Sequence, residues 1–258
     1  MSDGFYSGGH IGDAIYQLYT LSKTPAKSVF FLGPGQDNRW GSEEIKSIIP
    51  LAKYQSYISS CEEVDSCPEG AFNFKEEGGE KKPECFYELS MGWPGDLRLK
   101  KLYFVSYFKD MGMRWILENF KRSGAWLTAP STKKFDVVAH IPTRRITRSK
   151  KEWVHIIKAI ENSGRTVAII GGEDVREWDG HFNCIKPKDM LDAADYINSS
   201  RMFIGSASCN YVIAEGLDKL RFVDIHPDSL GTAPSEDNGW NITPWSTQTC
   251  IERILDCI

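Results

Sequence analysis

The stretch FDVVAHIPTRRITRSKKEWVHIIKAIENSGRTVAIIGG, residues 135–172, decides how the chain is read. Phe135-Asp136-Val137-Val138-Ala139 is a nearly continuous apolar run, the pattern of a strand buried on both faces of a parallel sheet. Ser149-Lys150-Lys151-Glu152 has the spacing of a capping box, and Trp153, Ile156, Ile157 and Ile160 recur behind it at helical intervals. Thr166-Val167-Ala168-Ile169-Ile170 is a second apolar run, stopped by Gly171-Gly172. Strand, helix and strand in that order make a right-handed βαβ unit with parallel strands.

The same alternation continues on both sides. Downstream it gives a helix at about 188–198, a strand at 201–204, a helix at 209–217 and a strand at 221–225. Upstream, a strand near 3–7 leads through Gly8-Gly9-His10 into a helix carrying Ile11, Ile15 and Leu18. The strand Ser28–Leu32, a helix around 41–50 and a strand around 54–59 follow, and 97–121 has a helical pattern. The fold class expected is α/β, two Rossmann-like domains with a cleft between them. Residues 1–130 form the first domain, with 60–96 an irregular insertion, and 131–245 form the second. The amphipathic helix in 246–258 is expected to pack back on the first domain.

Composition sets the outer limits. The chain has 258 residues, 41% of them hydrophobic, which is enough for a sizeable core and excludes global disorder. No stretch reaches the ~18 apolar residues of a membrane span. The opening MSDGFYSGGHIGD has no basic segment followed by an apolar one, so a cytoplasmic protein without a secretory signal is expected. Seven cysteines lack paired spacing. Cys61, Cys67 and Cys85 could supply thiols to a metal, but without a nearby histidine reduced thiols are the better reading, and no metal is expected. The net charge of −4 hides an asymmetry: 60–90 is strongly acidic, while 133–151 holds Lys133, Lys134, Arg144, Arg145, Arg148, Lys150 and Lys151 against Asp136 alone.

Four loops could carry chemistry. In Ser7-Gly8-Gly9-His10-Ile11-Gly12-Asp13, glycines between strand and helix let a ligand approach a helix N-terminus. The loop lacks GK[ST] and has Ser7 where a dinucleotide fingerprint has its first glycine. Asp13 there is either a catalytic carboxylate or a complement to the helix dipole. The basic turn Thr143 to Lys151, with Arg144 and Arg148, offers cations beside a helix N-terminus, as a diphosphate requires. Gly172-Glu173 lies at a strand end, where a carboxylate suits a sugar hydroxyl pair or a helix cap. Gly205-Ser206-Ala207-Ser208-Cys209-Asn210, followed by a helix containing Glu215, suits phosphate or ribose oxygens, although serine is also an ordinary helix cap.

In this order the four loops resemble those of heptosyltransferase-like glycosyltransferases of the ADP-heptose:LPS type, which have the GT-B fold. Gly12-Asp13 followed by Ala14-Ile15-Tyr16-Gln17-Leu18 is similar to the family's opening Gly-Asp and apolar helix. Gly124-Ala125-Trp126-Leu127 resembles the segment before its second domain. Thr143-Arg144 with Lys151-Glu152-Trp153 resembles its phosphate-binding turn, and Phe203 to Leu217 its last nucleotide-binding loop and helix. The likeness covers most of the chain outside 60–96. This chain departs from the family with Ser206-Ala207-Ser208 in place of Asp-x-Gly, and it is short.

The resemblance implies a glycosyltransferase of hexosyl or heptosyl type that moves a sugar from a nucleotide-diphosphate sugar to an acceptor hydroxyl, with inversion and without a metal cofactor. Asp13 would be the general base, with His10 a second acid–base group. Gly9, Gly12, Thr143, Arg144, Arg148, Lys151, Gly172, Glu173, Ser206, Ser208 and Glu215 would face the donor, and the cations would stabilise the leaving diphosphate. The acceptor is a saccharide or other hydroxylated molecule. Two alternatives stand beside it: a hydroxymethylated base in DNA as acceptor, and a non-catalytic nucleotide-sugar-binding protein.

Overall fold

The computed structural model describes residues 4–7, 11–22, 27–34, 42–73, 124–141, 147–178, 180–226 and 238–258. The chain divides into two compact units, Met1–Thr128 with Asp189–Leu191, and Ala129–Lys188 with Asp192–Ile258.

In the first unit, β1 (Gly4–Ser7), α1 (Ile11–Leu21), β2 (Ser28–Leu32), α2 (Ser42–Tyr54), β3 (Ile58–Glu63) and β4 (Phe72–Asn73) follow in turn. The strands are parallel in the order β3-β2-β1-β4. Phe5, Phe30, Ile15, Leu18 and Leu21 are buried where this sheet meets its helices. Helix α2 runs past the expected residue 50, through Pro50, because Leu51 and Ala52 are fully buried and packing outweighs the lost amide bond. Part of the expected irregular insertion is ordered sheet. Strand β3 extends to Glu63, its charged residues tolerated because it lies at the sheet edge, and β4 pairs with β1. The pattern read as helical at 97–121 lies outside the described residues.

The second unit holds β5 (Val137–His140), α3 (Lys150–Asn162), β6 (Val167–Ile170), a 3₁₀ turn (Glu173–Trp178), β7 (Cys184–Ile185) and α4 (Met190–Ser199). Then come β8 (Met202–Ser206), α5 (Cys209–Gly216), β9 (Leu220–Asp224), β10 (Gly239–Asn241) and α6 (Thr247–Leu255). Its sheet is parallel throughout, in the order β10-β9-β8-β5-β6-β7. The capping box of α3 forms as its sequence demands: Ser149 caps the Glu152 amide and the Glu152 carboxylate accepts the Ser149 N–H. Trp153, Ile156, Ile157 and Ile160 are fully buried against the sheet, each stabilising by roughly 1.5–3 kcal/mol.

Helix α6 lies against α3, and Cys250, Ile251 and Ile254 join the core of the second unit. Among the described residues no helix is long and apolar enough to cross a membrane.

Candidate functional site

In the second unit the chain leaves β5 toward β6 on one side and later returns with β8 on the other. Loops after β5 and β8 therefore diverge at the C-terminal ends of neighbouring strands, the place where open α/β sheets bind ligands. The register pairs His140 with Gly205, and a Cβ on Gly205 would lie 2.1 Å from the His140 carbonyl oxygen. Only glycine permits that approach. Ser206 then ends β8 fully buried, and its hydroxyl finds no partner among the described residues. Ser208 caps α5 by accepting the Tyr211 N–H at 3.3 Å, and its Oγ lies 2.8 Å from His140 Nδ1. Asn210, in the first turn, is 4% exposed with its Oδ1 unpartnered among the described residues. That turn contains no acidic residue, so the partial positive charge of the helix end stays uncompensated within it.

The basic turn before α3 is a different case. The Asp224 Oδ2 accepts the N–H groups of Thr147 and Arg148, each at 3.1 Å. The Glu152 carboxylate accepts the Ser149 N–H at 2.8 Å, and two of the chain's own acids thus fill this helix entrance. Arg148, expected at the donor phosphates, is a structural residue. Its guanidinium is buried and donates to the Ile242 and Trp245 carbonyls at 2.5 and 2.6 Å, tying the turn to the segment after β10. Lys150 donates to the Glu177 carbonyl at 2.7 Å and lies over the Trp178 ring, and Lys133 pairs with Asp192 at 3.5 Å. Lys151 is exposed in the first turn of α3. Thr143 and Arg144 lie outside the described residues.

Gly172 is exposed just after β6, and Glu173 follows it. The Glu173 carboxylate bonds Lys186 at 2.5 Å and pairs with Arg176 at 2.8 Å, and the Lys186 bond, with the charges of Arg176 and Lys186, holds its pKa below the usual carboxylate value. Glu215 is not brought to the Ser206–Ser208 loop. It sits at the far end of α5 from Ser208, about 10 Å away along the axis, and its carboxylate lies 3.8 Å from the buried Arg221 guanidinium. The sequence reading grouped it with Ser208 because both fall on one helix; helix length separates them.

In the first unit the switch lies between β1 and β4. Ser7 ends β1 fully buried, and neither its hydroxyl nor the Gln17 Oε1 of α1 finds a partner among the described residues. Gly12 and Asp13 are the second and third residues of α1. Gly9 and His10 lie outside the described residues, as does the Asp13 side chain. Among the described residues no group of three or more His, Cys, Asp or Glu side chains is placed to hold a metal ion. Burial pushes the Cys61 thiol up to about 12, and Cys67 Sγ lies 3.7 Å from the Pro68 and Ala71 carbonyls. Cys85 lies outside the described residues.

Sequence reasoning missed His140, Asp224 and Thr243. For Asp224 a signal existed: an acid closing the strand read at 221–225, beside the serine loop.

No family model matches the chain, and no curated protein matches it in sequence. Solved structures do match in fold. The chain is similar to the E. coli heptosyltransferase WaaC with ADP-2-deoxy-2-fluoro heptose, at 9% identity and a TM-score of 0.59, with 99% of each chain covered. It is similar to the E. coli ADP-heptose LPS heptosyltransferase II, at 11% identity and a TM-score of 0.56, covering 99% of this chain and 98% of that one. A third match is the dodecameric iron-containing heptosyltransferase TibC in complex with ADP-D-beta-D-heptose, at 13% identity and a TM-score of 0.56, covering 93% of this chain and 62% of that one. The fold is heptosyltransferase-like.

Proposed function

We propose, taking the heptosyltransferase-like fold as the premise, that this protein transfers a sugar from a nucleotide-diphosphate donor to an acceptor hydroxyl. The observation that carries the reading is the β5/β8 switch point, with the uncompensated entrance of α5 and the buried Ser206 hydroxyl beside it. Amide groups at a helix start, a hydroxyl and nearby cations are what a diphosphate needs. Ser206, Ser208, Thr143, Arg144 and Lys151 are assigned to the donor, with Gly172 and Glu173 at the next strand end. Arg148 supports the turn from behind.

In this reading the acceptor is bound by the first domain. Asp13, in the first turn of α1, takes the proton of the acceptor hydroxyl as its oxygen attacks the anomeric carbon from the face opposite the leaving diphosphate, so configuration inverts. Gly9 and Gly12 let the acceptor approach that turn, and His10 is the second acid–base candidate. The leaving charge is stabilised by Lys151, Arg144 and the α5 amides, which makes the reaction independent of a metal. The acceptor is a saccharide or another small hydroxylated molecule. The engagement of Lys133, Arg148 and Lys150 within the protein gives a DNA acceptor no support.

Thermal unfolding against nucleoside diphosphates and their sugar conjugates, with a chelator present, tests the donor site. At about 100 times its dissociation constant the right donor stabilises by roughly 2.7 kcal/mol, a rise of several degrees. A flat panel overturns the reading. With the donor known, Asp13→Asn should cut transfer by roughly 10²–10⁴ while leaving donor affinity unchanged; undiminished transfer removes Asp13 as the base.

A further inference from the structure

Asp224 closes β9, is fully buried, and lies opposite Ser206 in the sheet register. Its Oδ2 accepts two consecutive amides, Thr147 and Arg148. Its Oδ1 accepts the Thr147 hydroxyl and, at 3.0 Å, the Thr243 hydroxyl. Consecutive N–H groups converging on one point form a small anion-binding concavity, and here a carboxylate of the chain occupies it. Thr147 itself is exposed, so these bonds fix a surface turn to the sheet. The other end of the turn is fixed as well, by the pairing of His140 with Gly205 and by the bond between His140 and Ser208. Thr143 and Arg144 lie between the two anchors in sequence.

We propose that Asp224 is a positioning residue for the donor diphosphate, holding the Thr147 end of the Thr143–Lys151 segment at the C-terminal strand ends that carry Ser206 and the start of α5. The inference rests on the donor-site reading above. An apolar residue would close the strand without burying a charge. What the carboxylate adds is four directed bonds, three of them to the turn.

The test uses ADP and UDP as probes, with adenosine and uridine measured by competition, on the full chain. Asp224→Ala should weaken the preferred nucleoside diphosphate at least 10-fold and leave the matching nucleoside within about 2-fold, since only the phosphate end depends on the turn. Asp224→Asn should recover most of the loss: its Oδ1 can take both amides while its Nδ2 donates to the two threonine hydroxyls. Thr147→Val, which removes one bond and keeps the amides, should weaken the diphosphate about 3-fold and serves if Asp224→Ala does not fold. Unchanged diphosphate affinity in Asp224→Ala or Thr147→Val overturns the inference, as does an equal loss for nucleoside and diphosphate. Should wild-type protein take neither, GDP, CDP and dTDP replace them as probes; wild-type protein that takes none of the five overturns the function proposed above, and this inference with it.

Discussion

The C-terminal ends of β1 and β8 are built alike. Each strand ends in a fully buried serine whose hydroxyl has no partner among the described residues, and each leads within a few residues into a helix. They differ in charge. Helix α1 carries Asp13 in its first turn, whereas the first turn of α5 has no acid. A carboxylate at a helix N-terminus is stabilised by the dipole and partly cancels it; a first turn without an acid keeps its attraction for an anion. The first arrangement suits a base and the second a diphosphate. Helix α3 is a third state, its entrance already filled by Glu152 and Asp224. Strand-end geometry alone therefore does not mark an anion site; the decisive fact is whether the chain supplies its own anion.

The largest effect that would sharpen this comparison is at the glycines. Gly205→Ala places a methyl group 2.1 Å from a backbone oxygen that cannot yield without parting β5 from β8. A loss of about 3 kcal/mol is expected, read as a fall in the unfolding midpoint of the second unit. In the first unit, Gly33, just after β2, would meet the Tyr6 hydroxyl at 2.6 Å and the Val64 carbonyl at 2.7 Å, both less close than the 2.1 Å at Gly205. Gly33→Ala should therefore destabilise less; the reverse ranking would show that β5 and β8 are less rigidly joined than their register implies.

A second contrast is in pH. In the first unit, burial pushes the thiol of Cys61 and the phenol of Tyr19 each up to about 12. Folded pKa values above the unfolded ones contribute stability at neutral pH that is lost as pH rises, here from about 9 toward 12, by at most ~1.4 kcal/mol per pH unit for each group. In the second unit the Thr166 N–H and hydroxyl hold Asp136 below its ordinary value. Burial opposes ionisation of Asp195, but the bonds from Thr132 and Ser199 outweigh it. That stability is present above about pH 4 and is lost as pH falls through the depressed values. Unfolding followed across pH should show the first unit failing first in base and the second first in acid. Cys61→Ala should flatten the alkaline limb, and an unchanged limb would remove Cys61 as its source.

The smallest effect separates the two serines. Ser7→Ala and Ser206→Ala each remove a buried hydroxyl that lacks a protein partner, so each should leave stability unchanged or raise it by about 1 kcal/mol. Only Ser206→Ala should also weaken the nucleoside diphosphate, measured by calorimetry. Equal behaviour of the two would break the distinction between the strand ends.

Much of this architecture was legible in the residues. The α3 capping box and the Trp153-Ile156-Ile157-Ile160 face are local, set by spacing over one to three turns, and the structure has both. The strands from β5 to β9 were found within a residue or two, apart from β7, because buried parallel strands read as apolar runs. Strands β4, β7 and β10 were missed: at two or three residues each they have no period to detect, and pairing with a longer neighbour makes them strands. Helix α6 is legible as an amphipathic stripe, which reports that something is covered and not what covers it; the structure sets Cys250, Ile251 and Ile254 in the core of the second unit.

The site divides on the same line. The sequence by itself determined that glycine- and serine-rich turns stand where strands give way to helices, because chain reversal and capping depend on residues a few positions apart. It could also place a basic run before α3. Only the tertiary structure decided which of those charges are already engaged, by setting Asp224 under Thr147 and Arg148 and the Ile242 and Trp245 carbonyls around Arg148, partners 76 to 97 positions distant. A cation's availability is a property of the distant groups that fold against it, and no local pattern encodes that.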